Sequence, residues 1–168
     1  NTIKKLQVHS FDYNNYIFSQ QSSNIVIDEP YILFIDQYYP FHPDMTICGV
    51  NHIHYEPYYE QLNNTFKMIE EKLNMKIIIA AHPKSLKYKD TDFFEGRRVF
   101  WGCTSDLTKK ATLVITHDST AISYAIMSHK PVLIITSSLI KKYYPVNYNN
   151  SINLSDEFGF TLVNMDNK

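Results

Sequence analysis

Tyr31-Ile32-Leu33-Phe34-Ile35 is an uninterrupted apolar run of strand length, and it stops at Asp36. Such a run has no polar face. A strand formed here is covered on both sides, as in a parallel sheet with helices above and below. Asp28-Glu29-Pro30 marks its start. Working outward, the same kind of run recurs at Met75 to Ala81, Val99-Phe100-Trp101, Leu113-Val114-Ile115 and Pro131 to Ile135. Segments of helical period lie between these runs. Glu56-Pro57 opens one, with proline suited to the first helical position. Tyr58, Leu62, Phe66, Ile69 and Leu73 share its apolar face, and Asn74 ends it. Thr104-Ser105-Asp106 caps a short helix to Lys110, Asp118 or Ser119 caps one from Thr120 to about Ser128, and another starts near Ser138. Phe160 to Val163 reads as a last strand. Buried strands alternating with helices predict an α/β fold: a doubly wound, Rossmann-like parallel sheet with right-handed crossovers.

Residues 1–30 are mixed and polar and read as a linker or inter-domain segment, with short strands at Leu6-Gln7-Val8 and Asn24 to Ile27. Residues 31–168 are then the domain proper. Tyr143-Tyr144-Pro145-Val146-Asn147-Tyr148 reads as a surface loop or interaction edge. The 168 residues are 44% hydrophobic, enough for one sizeable core, and the formal net charge of −1 offers no field for nucleic acid or an anionic membrane. Two cysteines, Cys48 and Cys103, make neither a disulfide framework nor a zinc site, so a reducing cytoplasm is the default compartment. No apolar run reaches membrane-spanning length. Only four glycines are present, which argues against a glycine-rich phosphate loop. The chain opens on Asn1, and we read it as a piece of a longer protein.

In open parallel sheets, ligands bind beyond the carboxyl ends of the strands. There the successive runs deliver Asp36 to Asp44, His82-Pro83-Lys84-Ser85, Gly102-Cys103-Thr104-Ser105, Thr116-His117-Asp118-Ser119-Thr120 and Thr136-Ser137-Ser138. Every set is rich in hydrogen-bonding side chains. The fourth is the most informative. A strand feeds directly into a helix whose first amides are free, and Ser119 and Thr120 add hydroxyls, an arrangement suited to phosphate. Capping alone leaves His117 unexplained. Pro83 fixes the loop behind His82, whose imidazole either donates to a phosphate oxygen or bonds a backbone carbonyl at the rim. Lys84 adds a charge there, or is solvated. Asp36 and His42 either face the cleft or serve the loop. Glu95-Gly96-Arg97-Arg98 either turns over a nucleotide or forms a solvated hairpin. His52-x-His54-x-Glu56 has the spacing of two metal ligands on one strand, but no third set supports it, so no metal is expected. Ser119 beside His117 invites a hydrolase reading. The G-x-S-x-G elbow is absent, and neighbours in sequence do not make a triad.

His82-Pro83 after the second apolar run resembles the His-Pro motif of bacterial sialyltransferases, polysialyltransferases and Kdo transferases. Ser119-Thr120 resembles their Ser-Ser/Thr motif. The stretch from Asp36 to Asp44 joins these two motifs in resembling proteins of surface-polysaccharide gene clusters, and CDP-glycerol glycerophosphotransferases have a comparable late motif. The resemblance covers about residues 31–140. It implies the C-terminal half of a GT-B glycosyltransferase binding the CMP part of a nucleotide-activated sugar, with no cofactor. His82 and His117 would be catalytic, and His82, Pro83, Lys84, Thr104, Ser119 and Thr120 would hold the nucleotide and its phosphate. Asp36 and His42 would reach the cleft. These families carry an acidic general base in a separate N-terminal domain, and Phe94-Glu95-Gly96 lacks the paired acid of its motif. The acceptor, a glycan or lipid-linked glycan, would bind that absent half, with the whole protein peripheral at the inner face of the membrane. Two rivals stand beside this reading: a nucleotide-sugar epimerase of similar architecture, and a non-catalytic flavodoxin-like ligand-binding module.

Overall fold

A computed structural model describes residues 10–19 and 27–167. In chain order the elements are α1 (Phe11–Ser19), β1 (Tyr31–Ile35), α2 (Pro43–Ile47), α3 (Tyr55–Leu73), β2 (Lys76–Ala81), β3 (Val99–Trp101), α4 (Thr104–Lys110), β4 (Leu113–Thr116), α5 (Ile122–Met127), β5 (Val132–Thr136), α6 (Ser138–Tyr143), α7 (Pro145–Phe158) and β6 (Thr161–Asn164). The six strands form one sheet in the order β3-β2-β1-β4-β5-β6, and every pairing is parallel. This is the dinucleotide-fold order, with its reversal between β1 and β4.

Strand alternation assigns the two faces. Ile32 and Phe34 of β1 pack with Ile77 and Ile79 of β2, with Ile115 and Ile135, and with Tyr58, Leu62 and Phe66 of α3. Leu33 and Ile35 face the other way, with Ile78, Val114 and Ile134, against Leu107 of α4 and Ile122 and Ala125 of α5. The central strands are therefore buried on both sides, as their unbroken apolar runs require. Helix α3 ends on Asn74 in the left-handed region (φ 49°), and the amide of Asn74 returns to the carbonyl of Glu70.

Several expectations needed revision. The stretch expected to be a tyrosine-rich loop begins α7: Pro145 is its first helical residue, and Gly159 (φ 66°) ends it. Its polar surface gave little period to read, and only Ser151 and Ser155 are buried. The loop after β1 contains a 3-10 turn over Tyr39–Phe41 and then α2. Within the expected linker, α1 packs on α4 and α5: Asp12 accepts hydrogen bonds from Ser123 Oγ (2.8 Å) and Tyr124 Oη (3.3 Å). The strand expected over Leu6 to Val8 lies outside the described residues, as does nearly all of that expected over Asn24 to Ile27; Ile27 itself is not in a strand. Glu95 to Arg98 precede β3 and so lie at the amino edge, away from the ligand-binding edge. There Arg97 is clamped by Glu70 (2.7 Å) and by Asn63 Oδ1 (2.9 Å).

Candidate functional site at the carboxyl edge

A cleft of about 510 Å³ opens where β1, β2, β3 and β4 end. Asp36, His82, Pro83, Thr104, Ser119 and Thr120 line it together with Asp12, Asp106 and Tyr124. The segments after four strands thus converge on one space, while the fifth set, Thr136-Ser137-Ser138, is not in its wall. Asp12 is contributed by α1, which no pattern in the sequence placed there. No lysine or arginine is among the lining residues.

His117 does not join them. Its ring is fully buried. Nδ1 lies 2.7 Å from the carbonyl oxygen of Ile135 and Nε2 lies 3.0 Å from Tyr58 Oη. Burial pushes the imidazole down to about 4, overriding the Ile135 carbonyl and the charge of Asp118. His117 is a neutral core histidine with both nitrogens satisfied. The sequence places it one residue beyond a strand end, and the pleat turns it inward.

Asp118 is also occupied. Its Oδ1 accepts from Gln37 Nε2 (2.7 Å) and Tyr39 Oη, and its Oδ2 accepts from Asn147 Nδ2 (2.9 Å) and Asn150 Nδ2 (3.1 Å). It ties the β4 turn to the β1 loop and to α7. Neither Asp118 nor Ser119 caps α5. The helix starts at Ile122, two residues later than expected, and its N-cap is Ala121 with no side-chain cap hydrogen bond. Ser119 Oγ accepts from the amide of Ala121 (3.3 Å) in the turn before it.

Asp36 ends β1 and is almost wholly buried while lining the cleft. Its carboxylate accepts from Tyr38 N (3.0 Å), Tyr88 Oη (2.9 Å) and His82 N (3.4 Å). Burial outweighs these bonds and raises its pKa to about 6. Asp106 carries a buried Oδ1 with no hydrogen-bond partner among the described residues.

His82 stands at the end of β2. Its Nδ1 accepts from the amide of Lys84 (3.2 Å), and its Nε2 faces Nε2 of His42 at 3.3 Å. Burial, then the neighbouring His42 and Lys84, bring its pKa down to about 4. His42 caps α2, with Nδ1 accepting from the amide of Asp44 (3.2 Å), so it serves the loop and meets His82, and it is not in the cleft wall. Lys84 pairs with Asp44 (2.8 Å) on the surface and is not part of the cleft wall. The two-histidine metal spacing is not realised: His52 Nε2 contacts Thr46 Oγ1 at 2.8 Å, while His54 is the residue before α3. Among the described residues no group of three or more His, Cys, Asp or Glu could hold a metal ion. No described helix is long and apolar enough to cross a membrane.

The pairing of His42 with His82 went unread in the sequence, although a signal was present. His-Pro occurs twice, at 42–43 and 82–83, each time followed by a charged residue. Asp106 and Asp12 carried no comparable signal, since isolated acids at a helix start ordinarily serve that helix.

No family model and no curated protein matches this sequence. Among solved structures, the glycotransferase of kitacinnamycin resembles it at 11% identity and a TM-score of 0.44, over 88% of this chain and 34% of that one. E. coli ADP-heptose lipopolysaccharide heptosyltransferase II resembles it at 15% identity and a TM-score of 0.41, over 84% of this chain and 42% of that one. The chain spans less than half the length of either protein. It is a doubly wound, Rossmann-like α/β chain with a cleft at its carboxyl edge lined by hydroxyl, imidazole and carboxylate side chains.

Proposed function

We propose that this chain is the nucleotide-sugar-binding domain of a GT-B glycosyltransferase acting in the synthesis of a surface polysaccharide or lipopolysaccharide. The observation that carries the reading is the convergence of His82, Thr104, Ser119 and Thr120 on one cleft beside the β1/β4 reversal, where this sheet order binds nucleotides. The resemblance of His82-Pro83 and Ser119-Thr120 to CMP-binding motifs supports a cytidine donor. With no cation in the wall, the phosphate is held by neutral N–H and O–H donors, His82 at one side and Ser119-Thr120 at the other. Asp106 and Asp12 are acceptors for hydroxyl or amino groups of the same ligand, away from its phosphate. His82 stabilises the departing nucleotide by donating from Nε2. The sugar acceptor and the general base belong to a second domain facing this edge, and the whole protein works at the inner face of the membrane.

Calorimetric titration with CMP, CDP, UMP and UDP, each with and without chelator, tests this. Cytidine nucleotides are expected to bind more tightly, and chelator is expected to change nothing. Tighter binding of UDP would discard the cytidine donor. Binding that appears only with a divalent ion would discard the metal-free site.

A further inference from the structure

His42 and His82 cannot arrange their protons to suit each other. Each ring accepts a backbone amide at Nδ1: Asp44 N on His42 and Lys84 N on His82, both at 3.2 Å. A neutral imidazole has one N–H, so a ring that accepts at Nδ1 carries its hydrogen on Nε2. The two Nε2 atoms lie 3.3 Å apart, so both hydrogens point into the same gap. A hydrogen bond between the rings needs one bare Nε2. That ring's proton would then sit on Nδ1, against an amide hydrogen. Charging either ring has the same effect, because an imidazolium also carries hydrogen at Nδ1. Burial holds both rings neutral, lowering His42 against the opposing pull of Asp44 and taking His82 to about 4.

Two donors that converge with nothing to accept them describe a place for an acceptor. We propose that His42 and His82 form a clamp in which both Nε2–H groups donate to a single phosphate oxygen. At 3.3 Å the gap is too narrow to hold an atom between the nitrogens, so the oxygen sits to one side of the line joining them, about 2.9 Å from each, and both N–H groups turn toward it. The backbone builds the clamp with the same device used twice. His42-Pro43-Asp44 and His82-Pro83-Lys84 are both His-Pro-x turns, in which the third residue's amide fixes the ring through Nδ1. Asp44 and Lys84, the third residues, are joined by an ion pair at 2.8 Å, which ties the two turns together. Tyr38 stacks on His82, with ring centroids 6.5 Å apart, and seats it.

The nitrogen separation would also suit two ligands of a tetrahedral metal. A metal needs a bare Nε2 and a Nδ1–H that donates to a carbonyl or carboxylate. Here both Nδ1 atoms meet amide hydrogens, so the same geometry that disfavours a metal favours an anion. The clamp rests on the donor-site reading only for the identity of the phosphate, whether part of a nucleotide or free. The charged and titratable groups that face it are Asp44, Lys84 and, beyond His42, His52.

The test is a long-range proton–nitrogen correlation spectrum of the imidazoles, recorded well above the ordinary histidine range and titrated with inorganic phosphate and, separately, CMP. Both rings are expected as Nε2–H tautomers, and both should shift with phosphate. His42→Asn and His82→Asn keep an acceptor where Nδ1 was but lack the Nε2 donor, so the turns should remain folded. Each is expected to weaken phosphate binding about tenfold or more, the scale of one hydrogen bond to a charged group. A Nδ1–H tautomer on either ring, no response to phosphate, or unchanged affinity in His42→Asn would each overturn the clamp. CMP binding at full affinity in His42→Asn overturns the clamp and leaves the donor reading standing. Equal affinity for phosphate and CMP, both lost in the variants, sustains the clamp and removes the nucleotide.

Discussion

Tyr58 and His117 meet in the core, with the tyrosine hydroxyl 3.0 Å from Nε2 of the imidazole. The other ring nitrogen faces the carbonyl of Ile135 at 2.7 Å. A carbonyl only accepts, so the proton is on Nδ1 and Nε2 accepts from Tyr58. Helix α3 and strand β5 are thereby linked through one side chain, whose ring also stacks on Tyr39 with centroids 4.9 Å apart.

Removing the tyrosine hydroxyl leaves Nε2 buried without a donor. Tyr58→Phe is therefore expected to cost about 1–3 kcal/mol, the penalty for a buried polar group left unsatisfied. Urea denaturation should show a lower midpoint with an unchanged slope. A variant as stable as the parent would mean that the ring is not neutral and accepting.

Acid stability carries two opposed contributions. Burial takes His117 and His82 from 6.5 to about 4, so the unfolded chain binds more protons between those values, and stability is lost as pH falls through them. Asp36 moves the other way, from 3.8 to about 6, so the folded state binds more protons in that window, and its contribution grows as pH falls. Asp36→Asn removes the compensating partner. Between about pH 6 and pH 4 its stability should fall more steeply than that of the parent protein. Denaturant midpoints measured across that range give the comparison, and parallel profiles would refute it.

Asp118 accepts four side-chain hydrogen bonds, two of them from α7. Asp118→Ala is expected to cost about 2–4 kcal/mol, since several donors lose a charged acceptor at once. The loss should be local first: amide hydrogen exchange over residues 145–158 should accelerate more than exchange in β1. Uniform acceleration across the sheet would show that Asp118 does not fasten α7 specifically.

At the cleft, Ser119→Ala and His82→Ala are each expected to weaken nucleotide binding by about 1–3 kcal/mol, the range for a hydrogen bond to a charged group. His117→Ala should act on stability instead, because its ring never reaches the cleft. Affinity and melting temperature measured on all three variants separate these roles. Unchanged affinity in both cleft variants would remove the proposed donor site.

Much of the fold was legible because burial on both faces forces long aliphatic runs. Tyr31–Ile35 and Lys76–Ala81 had few other readings, and the period of Tyr58, Leu62 and Phe66 located α3. The residues at the strand ends were legible for the same reason, since a buried strand must release its polar residues where it stops. Helix α7 was hidden because a polar helix on the surface leaves no clear stripe.

Tertiary structure decided the rest. Strand β3 is three residues long, yet its pairing outside β2 gives the order 3-2-1-4-5-6; without it the remaining strands would follow the flavodoxin-like order. Which edge an end strand joins depends on contacts remote in sequence, and three residues cannot encode it. The two histidines that follow strands had opposite fates: His117 is turned inward beneath Tyr39, and His82 is turned outward to His42, forty residues away. The sequence placed both at the carboxyl edge, because strand length does that locally. The side of the sheet each ring faces, and the partner it meets there, follow from the packing of α3 and the β1 loop.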